Sequence, residues 1–156
     1  MAVAIAVETP LQDDVRRLVA SLNAHLIPLT PREFQFQMTV EQMAGDDTTV
    51  FVARNETGEA VGCGALKVHD AQTGEVKRMF TAPAVRRQRI GTTLLAAIID
   101  LARRKGVSRL VLETGSVAAF ADAWRLYERG GFKRCGAVLD YPDSGWSVFY
   151  ELPLSR

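Results

Sequence analysis

Three consecutive strands joined by short turns constrain the fold of this chain more than any other feature. Residues 48–54 and 60–68 are predicted strands on either side of an Asn-Glu-Thr-Gly turn at 55–58, an arrangement typical of a hairpin. A further turn at 69–74 leads into a third strand at 75–81. Strands joined by such turns pair antiparallel, so this block predicts a mostly antiparallel sheet.

The elements around this block predict an α+β protein. Apolar residues recur at helical spacing in three segments, while short apolar runs indicate additional strands. The predicted helices are 11–24 (with Thr9 as N-cap and Pro10 at its first position), 90–105 and 117–129, with a weaker short helix within 34–43; the further strands are 3–7, 109–113, 132–138 and 147–152. The strand–helix–strand unit at 75–113 adds one local parallel pair. We therefore expect a single domain over residues 1–156, with a mixed central sheet flanked by helices.

Composition and charge exclude several classes of protein. The net charge is only +1, so no overall basic field would attract nucleic acid. No apolar run approaches the ~20 residues of a membrane span, and residues 1–7 lack the basic start of a signal peptide. Cys63 and Cys135 cannot build a disulfide framework, and no His, Cys and carboxylate cluster has metal spacing. We expect a cytoplasmic protein without a metal, a membrane anchor or a nucleic-acid partner.

A basic turn leads directly into the helix predicted at 90–105. The turn reads RRQRIG over residues 86–91. Consecutive backbone N–H groups at a helix N-terminus favour an anion, and the helix dipole adds to this. The arginine side chains supply positive charge with donor geometry suited to phosphate oxygens. The segment therefore predicts a binding site for a phosphate or pyrophosphate group.

Two motifs resemble those of the GNAT superfamily of N-acetyltransferases. The family's phosphate loop reads Q/R-x-x-G-x-G/A, which residues 86–91 match except that Arg89 replaces the first glycine. The later family pattern L-Y-x-x-x-G-F is matched by Leu126, Tyr127, Gly131 and Phe132. Shorter segments are similar to a branch of small bacterial members, the YsnE-like acetyltransferases: GCGALK at 62–67, EVKRM at 75–79, LETG at 112–115 and SVF at 147–149.

This resemblance implies the GNAT fold, acetyl-CoA as cosubstrate and two sets of residues that bind it. In the family, the pantetheine arm lies like an extra strand beside the sheet, and a bulge in that strand would aim a backbone N–H at the thioester oxygen. The implied pantetheine residues are Met79, Phe80 and Thr81, and the implied pyrophosphate residues are Arg86, Arg87, Gln88, Arg89, Ile90, Gly91 and Thr92.

Two residues are candidates for proton transfer. Glu75 occupies the position of the general base in several family members, and a carboxylate can take the proton of the amine directly or through water. The alternative is a solvated carboxylate at the strand end that pairs with Lys77. Tyr127 is the candidate general acid for the departing thiolate, and the alternative is a core tyrosine with a polar tip.

The acceptor is expected to be a small primary amine that carries a carboxylate. Lys77 and Arg78 follow Glu75, and strand alternation sends them to opposite faces unless a bulge intervenes. A cation beside the amine would disfavour a polyamine and favour a carboxylate, although both side chains could instead be solvated or bind cofactor phosphates. His25 could approach from the first helix.

Other residues of the acceptor region leave alternatives open. Asp140, Tyr141 and Asp143 could form a simple turn or one lip of the acceptor site. His69 is expected to be solvated at its turn. A different function also stays open, that of a non-catalytic acyl-CoA-binding sensor, and a homodimer is compatible with the family resemblance.

Overall fold

The order of helices and strands in the computed structural model, which describes residues 3–85 and 89–154, matches the predicted order. The strands are β1 (Ala4–Val7), β2 (Thr48–Arg54), β3 (Ala60–Val68), β4 (Thr73–Thr81), β5 (Arg109–Gly115), β6 (Lys133–Cys135) and β7 (Ser147–Pro153). The α-helices are α1 (Asp13–Leu26), α2 (Val40–Met43), α3 (Ile90–Arg104) and α4 (Ala121–Arg129). Of these helices, none is long and apolar enough to cross a lipid bilayer.

The seven strands form one sheet in the order β1-β2-β3-β4-β5-β7-β6. Every recorded strand pair is antiparallel except β4–β5, which is parallel and joins only three pairs of residues, ending at Glu75 and Val111. Beyond that point, residues of both strands border a cavity of about 840 Å³. The predicted mixed sheet, with its single parallel pair, is thus confirmed. The two strands of that pair separate after Glu75 and Val111 and leave a cleft between them.

Helices cover both faces of the sheet. Leu94 and Ile98 of α3 belong to a core cluster with Leu66, Val76 and Leu112, one residue from each of three strands. On the other face, α1 and α2 pack in two smaller clusters, which contain Val15, Val19, Met43, Val50, Val52, Leu18, Leu22, Cys63 and Phe80. The arrangement follows from the period-2 alternation of the strands, which sends successive apolar side chains to opposite faces.

Glycines in β3 let α3 approach the sheet closely. A Cβ added at Gly62 would lie 3.0 Å from Ile90 Cγ2, and one at Gly64 would lie 2.4 Å from Met79 Sδ. A larger residue would therefore pack very tightly against α3 at the first position and would force the Met79 side chain to move at the second.

A β-bulge interrupts β4 beside the cleft. Cys63 pairs with Phe80 and Ala65 with Lys77, so two residues of β4 face one residue of β3. Arg78, the first bulged residue, has φ +56°, in the left-handed region. Its guanidinium consequently turns toward α1, where Nη2 donates to Asn23 Oδ1. Lys77 and Arg78 therefore both line the cavity instead of lying on opposite faces.

The ends of two helices differ from the prediction. Helix α1 begins at Asp13 with Gln12 as N-cap, so Thr9 and Pro10 do not start it. The Thr9 hydroxyl instead accepts from the Leu11 N–H, a local turn that competes with helix formation and leaves Leu11 exposed. Helix α4 begins at Ala121, after a short 3₁₀ turn at 118–120.

Candidate active site

The cavity lies where α1 ends, where β4 and β5 part, and where α3 and α4 begin. Its lining includes most of the predicted site residues, among them His25, Glu75, Arg78, Gly91, Tyr127 and Tyr141. The topology explains this convergence, because the parallel β4–β5 contact places the same ends of both strands at one edge of the sheet. Residues 34–37, between the first two helices, form a further part of the wall.

Glu75 is buried at the bottom of the cleft and surrounded by donors. Only 2 % of the residue is exposed. Its Oε2 accepts from Lys77 Nζ at 3.2 Å and from the Tyr141 hydroxyl at 2.5 Å, while His69 Nε2 lies 2.8 Å from Oε1. The alternative of a solvated carboxylate is therefore wrong, although the predicted pairing with Lys77 is present.

Tyr141 belongs to this network and to the cavity wall. Lys77 Nζ donates to its hydroxyl at 2.7 Å, and the ring meets Phe36 edge-on at a centroid distance of 5.0 Å. Burial, with the nearby charge of Glu75 as the next cause, raises the pKa of the Tyr141 phenol. Of the three loop residues considered from the sequence, Tyr141 lines the cavity, and Asp140 and Asp143 do not.

Arg78 is a buried cation with incomplete hydrogen bonding. The residue is 9 % exposed, and burial lowers the pKa of its guanidinium. No partner for its Nε exists among the described residues, and the same holds for Nε2 of Gln37, another residue of the cavity wall. Buried polar atoms are normally satisfied, so two unpaired donors in one cavity indicate a place for a ligand that accepts hydrogen bonds.

Glu113 on β5 was not singled out as a site residue by the sequence. It lines the cavity, and its Oε2 accepts from the Ser147 hydroxyl at 2.6 Å. Burial raises the pKa of this carboxyl, against the smaller lowering effects of Ser147 and Lys77. The sequence feature that could have indicated this residue is the acidic side chain within the short apolar strand RLVLETG.

Tyr127 lies on α4 between the core and the cavity. The residue is 7 % exposed, and its ring contacts those of Phe132 and Tyr150. Burial raises the pKa of its phenol, and the negative charge of Glu113 raises it further. The hydroxyl therefore stays protonated at neutral pH, which is the state that a general acid requires.

The described part of the basic turn comprises Arg89, Ile90, Gly91 and Thr92. Arg89 precedes α3 with φ +60°, a conformation that favours the glycine found there in the family pattern. The Ile90 side chain is buried in the core, so it can offer a ligand only its backbone. Arg86, Arg87 and Gln88 lie outside the described residues.

The three implied pantetheine residues lie on β4 beside the bulge and line the cavity. The Met79 side chain packs against the core cluster under α3, while Phe80 packs with Leu18 and Leu22 of α1. Thr81 Oγ1 would lie 3.8 Å from a Cβ at Gly91, so the strand end adjoins the start of α3.

The two histidines have different surroundings. His25, near the C-terminus of α1, lines the cavity with its ring 6.4 Å from that of Phe80. His69 is exposed at its turn, as expected, but its ring also contacts Glu75. The turn itself was predicted from the sequence, whereas this side-chain contact was not.

Comparison with known proteins identifies the family. The profile described as the acetyltransferase (GNAT) family matches residues 17–132. The chain belongs to the GNAT family. It is 41% identical over 153 residues to the IAA acetyltransferase of Azospirillum brasilense, with 97% of this chain and 98% of the relative covered. It is 39% identical over 137 residues to the uncharacterized N-acetyltransferase YsnE of Bacillus subtilis strain 168, covering 86% and 90%.

A solved structure agrees with this assignment. A Klebsiella pneumoniae protein named as an acyl-CoA N-acyltransferase superimposes with a TM-score of 0.82 at 32% identity, with 98% of both chains covered. The predicted GNAT fold and YsnE-like resemblance are confirmed, and the chain is an N-acetyltransferase that uses acetyl-CoA. This favours the enzyme over the acyl-CoA sensor.

The side chains that commonly bind metal ions are dispersed in the described part of the chain. Within residues 3–85 and 89–154, no three His, Cys, Asp or Glu side chains are grouped closely enough to hold a metal ion. Both cysteines are free thiols, and burial raises the pKa of Cys63 to about 12, which leaves it unreactive.

Proposed function

We propose that this GNAT enzyme moves an acetyl group from acetyl-CoA directly to the primary amine of a small, carboxylate-bearing acceptor, with Glu75 as general base and Tyr127 as general acid. The observation that carries the proposal is that both residues line the cleft between β4 and β5, together with the start of α3. We further propose that the chain acts as one cytoplasmic domain, alone or as a homodimer, without nucleic acid.

Glu75 would take the proton that the acceptor ammonium must lose before it attacks the thioester. Its buried position beside Tyr141 and Lys77 supports this role, since a proton that leaves the amine can pass into the network directly or through one water. The amine then bonds to the thioester carbonyl carbon, and a backbone N–H at the bulge of Arg78 and Met79 would stabilise the oxyanion.

Tyr127 would complete the reaction. The C–S bond breaks as the carbonyl re-forms, and the thiolate of coenzyme A leaves with the electron pair of that bond. The Tyr127 hydroxyl gives its proton to this sulfur. A phenol (pKa ~10) is a weaker acid than a thiol (pKa ~8.5), so the phenolate must be reprotonated. The acetylated nitrogen carries one excess proton after the attack, and its transfer to the phenolate restores Tyr127 and closes the proton balance.

The start of α3 and the basic turn would bind the pyrophosphate. Arg89 and Thr92 are exposed there, and the helix N-terminus contributes N–H groups and a positive dipole. At Gly91 an added Cβ would lie 3.3 Å from a Leu126 methyl carbon, so the close contact between α3 and α4 leaves little room for a side chain. These features fit the diphosphate of acetyl-CoA.

The acceptor's carboxylate would bind to Arg78. A buried guanidinium with an unpaired Nε presents a donor that a carboxylate can satisfy, and a charged hydrogen bond there would discriminate against amines without an acid group. The second unpaired donor, on Gln37, lies in the same cavity. An α-amino acid carries the required pair of groups.

The test is an acetylation screen that measures release of the coenzyme A thiol. The panel contains the common L-amino acids, spermidine and a lysine-rich peptide, each with acetyl-CoA. We expect turnover with at least one amino acid and slower turnover with the two polycations. Faster turnover with spermidine or the peptide than with every amino acid would contradict the carboxylate assignment.

Two conservative variants test the roles in catalysis. Glu75→Gln should lower kcat by roughly 10²–10⁴-fold with little change in the KM for acetyl-CoA, and Tyr127→Phe should lower kcat more than it changes binding. Glu151→Gln and Tyr150→Phe are matched controls, because Glu151 pairs with Arg109 and the Tyr150 hydroxyl donates to Glu128. Normal kcat in either test variant between pH 6 and 9 would remove that residue from the mechanism.

A further inference from the structure

Glu113 is the second carboxylate of the cleft, and the proposed reaction leaves it without a role. Because β4 and β5 pair in parallel with Glu75 opposite Val111, Glu113 lies on the same face of the sheet as Glu75 and Lys77. It lines the same cavity and is half-buried. Glu113 therefore lies two residues beyond the last β4–β5 pair, on the β5 side of the opening.

The two carboxylates differ in how many donors they already hold. Both oxygens of Glu75 are engaged, by His69 on one side and by Lys77 and Tyr141 on the other. Glu113 accepts one recorded hydrogen bond, from the Ser147 hydroxyl to Oε2. Within the described part of the chain, it takes part in no salt bridge.

A carboxylate can accept about four hydrogen bonds, so Glu113 has capacity left for a cationic ligand. The nearby cation, Lys77, is already hydrogen-bonded to Glu75 and Tyr141, so the half-buried charge of Glu113 is only partly compensated, and a bound ammonium would relieve this. The ammonium would also be in the cavity that Tyr127 lines, because Glu113 and Tyr127 both border it. The same place suits an amine that is about to attack the thioester.

We propose that Glu113 binds the ammonium of the acceptor and holds the amine in the cleft between Glu75 and Tyr127. This inference rests on the proposed function. It assigns the two ends of an amino acid to two side chains of the cavity wall, the ammonium to the half-buried Glu113 and the carboxylate to the buried Arg78. Glu113 is an acceptor-binding residue here, and Glu75 keeps the role of base.

The variant Glu113→Gln tests this assignment, because glutamine keeps the size and an acceptor for Ser147 but removes the charge. The probe is the amino acid that reacts fastest in the screen. Its KM should rise about 10–100-fold, because the variant loses one charged hydrogen bond to the substrate. The value of kcat should change less than fivefold, and KM for acetyl-CoA less than twofold. Glu113→Asp should recover part of the loss.

Controls separate binding from structure and from the proposed function. Ser147→Ala leaves the carboxylate in place, so KM for the amino acid should stay within about threefold of wild type. If Glu113→Gln retains the wild-type KM, or loses kcat while KM is unchanged, the assignment is wrong although the enzyme is an acetyltransferase. If the wild-type enzyme acetylates no amine of the panel, the proposed function fails and this inference fails with it.

Discussion

Replacing Arg89 by glycine should make the protein more stable and weaken its binding of acetyl-CoA. Arg89 has φ +60° at the start of α3, and its side chain is exposed. The left-handed conformation costs a residue with a Cβ about 1–2 kcal/mol. Glycine removes that strain but loses about 0.5–1 kcal/mol through the greater freedom of the unfolded chain. The net gain of about 0.5–1 kcal/mol corresponds to a rise in Tm of about 1–4 °C.

The affinity change comes from the lost charge. An exposed arginine near a diphosphate contributes about 1 kcal/mol, so KM for acetyl-CoA should rise about fivefold at low salt and less at high salt. Arg89→Ala separates the two effects, since alanine removes the charge but keeps the strained backbone. Its KM should match that of Arg89→Gly, while its Tm should not rise.

Leu139→Gly is the matched control for strain. Leu139 has φ +52° in the loop before β7 and is 41 % exposed, and it does not belong to the basic turn. Its replacement should raise Tm without changing KM for acetyl-CoA. The assay is thermal unfolding of the four proteins, with steady-state kinetics at 50 and 300 mM salt. An unchanged KM in Arg89→Gly at 50 mM salt would exclude Arg89 from the phosphate site, and a lower Tm would refute the argument from strain.

Three further substitutions have expected outcomes. Arg78→Gln should raise KM for an amino acid about tenfold but leave KM for the corresponding decarboxylated amine unchanged, and equal changes would contradict carboxylate binding. Burial raises the pKa of Glu113, so the folded protein loses stability as the pH rises and this carboxyl must ionise in the folded state. Glu113→Gln should therefore raise Tm at pH 8 and not at pH 4. An equal rise in Tm at both pH values would show a packing effect instead. Arg54 lowers the pKa values of Glu8 and Asp14, so these ion pairs stabilise the fold above about pH 4.5 and lose that effect as the pH falls below it. In thermal scans, Arg54→Gln should therefore lower Tm by about 2–4 °C at pH 7 and by less at pH 3.

The sheet and the packing of α3 could be predicted because local and tertiary signals agree there. Strand β3 was predicted at its observed limits, residues 60–68, and α3 was predicted within one residue. Helix ends were harder. The Thr9-Pro10 pair has the form of a helix start, but the Thr9 hydroxyl bonds to the backbone two residues later, and the helix begins at Asp13.

The site could be predicted where its residues match a family pattern or lie close in sequence. Glu75 and the basic turn lie on consecutive elements, and the second family pattern marks Tyr127. Tyr141 reaches Glu75 from 66 residues away through a loop without regular structure, so from the sequence it could be either a turn residue or a site residue. The turn at His69 was predicted, but not its contact with Glu75. Glu113 lies on β5, whose parallel pairing with β4 was predicted, but the pattern of that strand does not mark Glu113 as a site residue.

The bulge in β4 links the fold to the proposed chemistry. In a regular strand, Lys77 and Arg78 would point to opposite faces, and Arg78 would enter the core beneath α3. The extra residue and the left-handed φ of Arg78 instead direct both cations to the cleft, one to Glu75 and one to Asn23 of α1. A strained backbone next to a buried, incompletely bonded guanidinium is unfavourable for folding alone. Its presence beside the cleft is explained if Arg78 completes its hydrogen bonds with the acceptor.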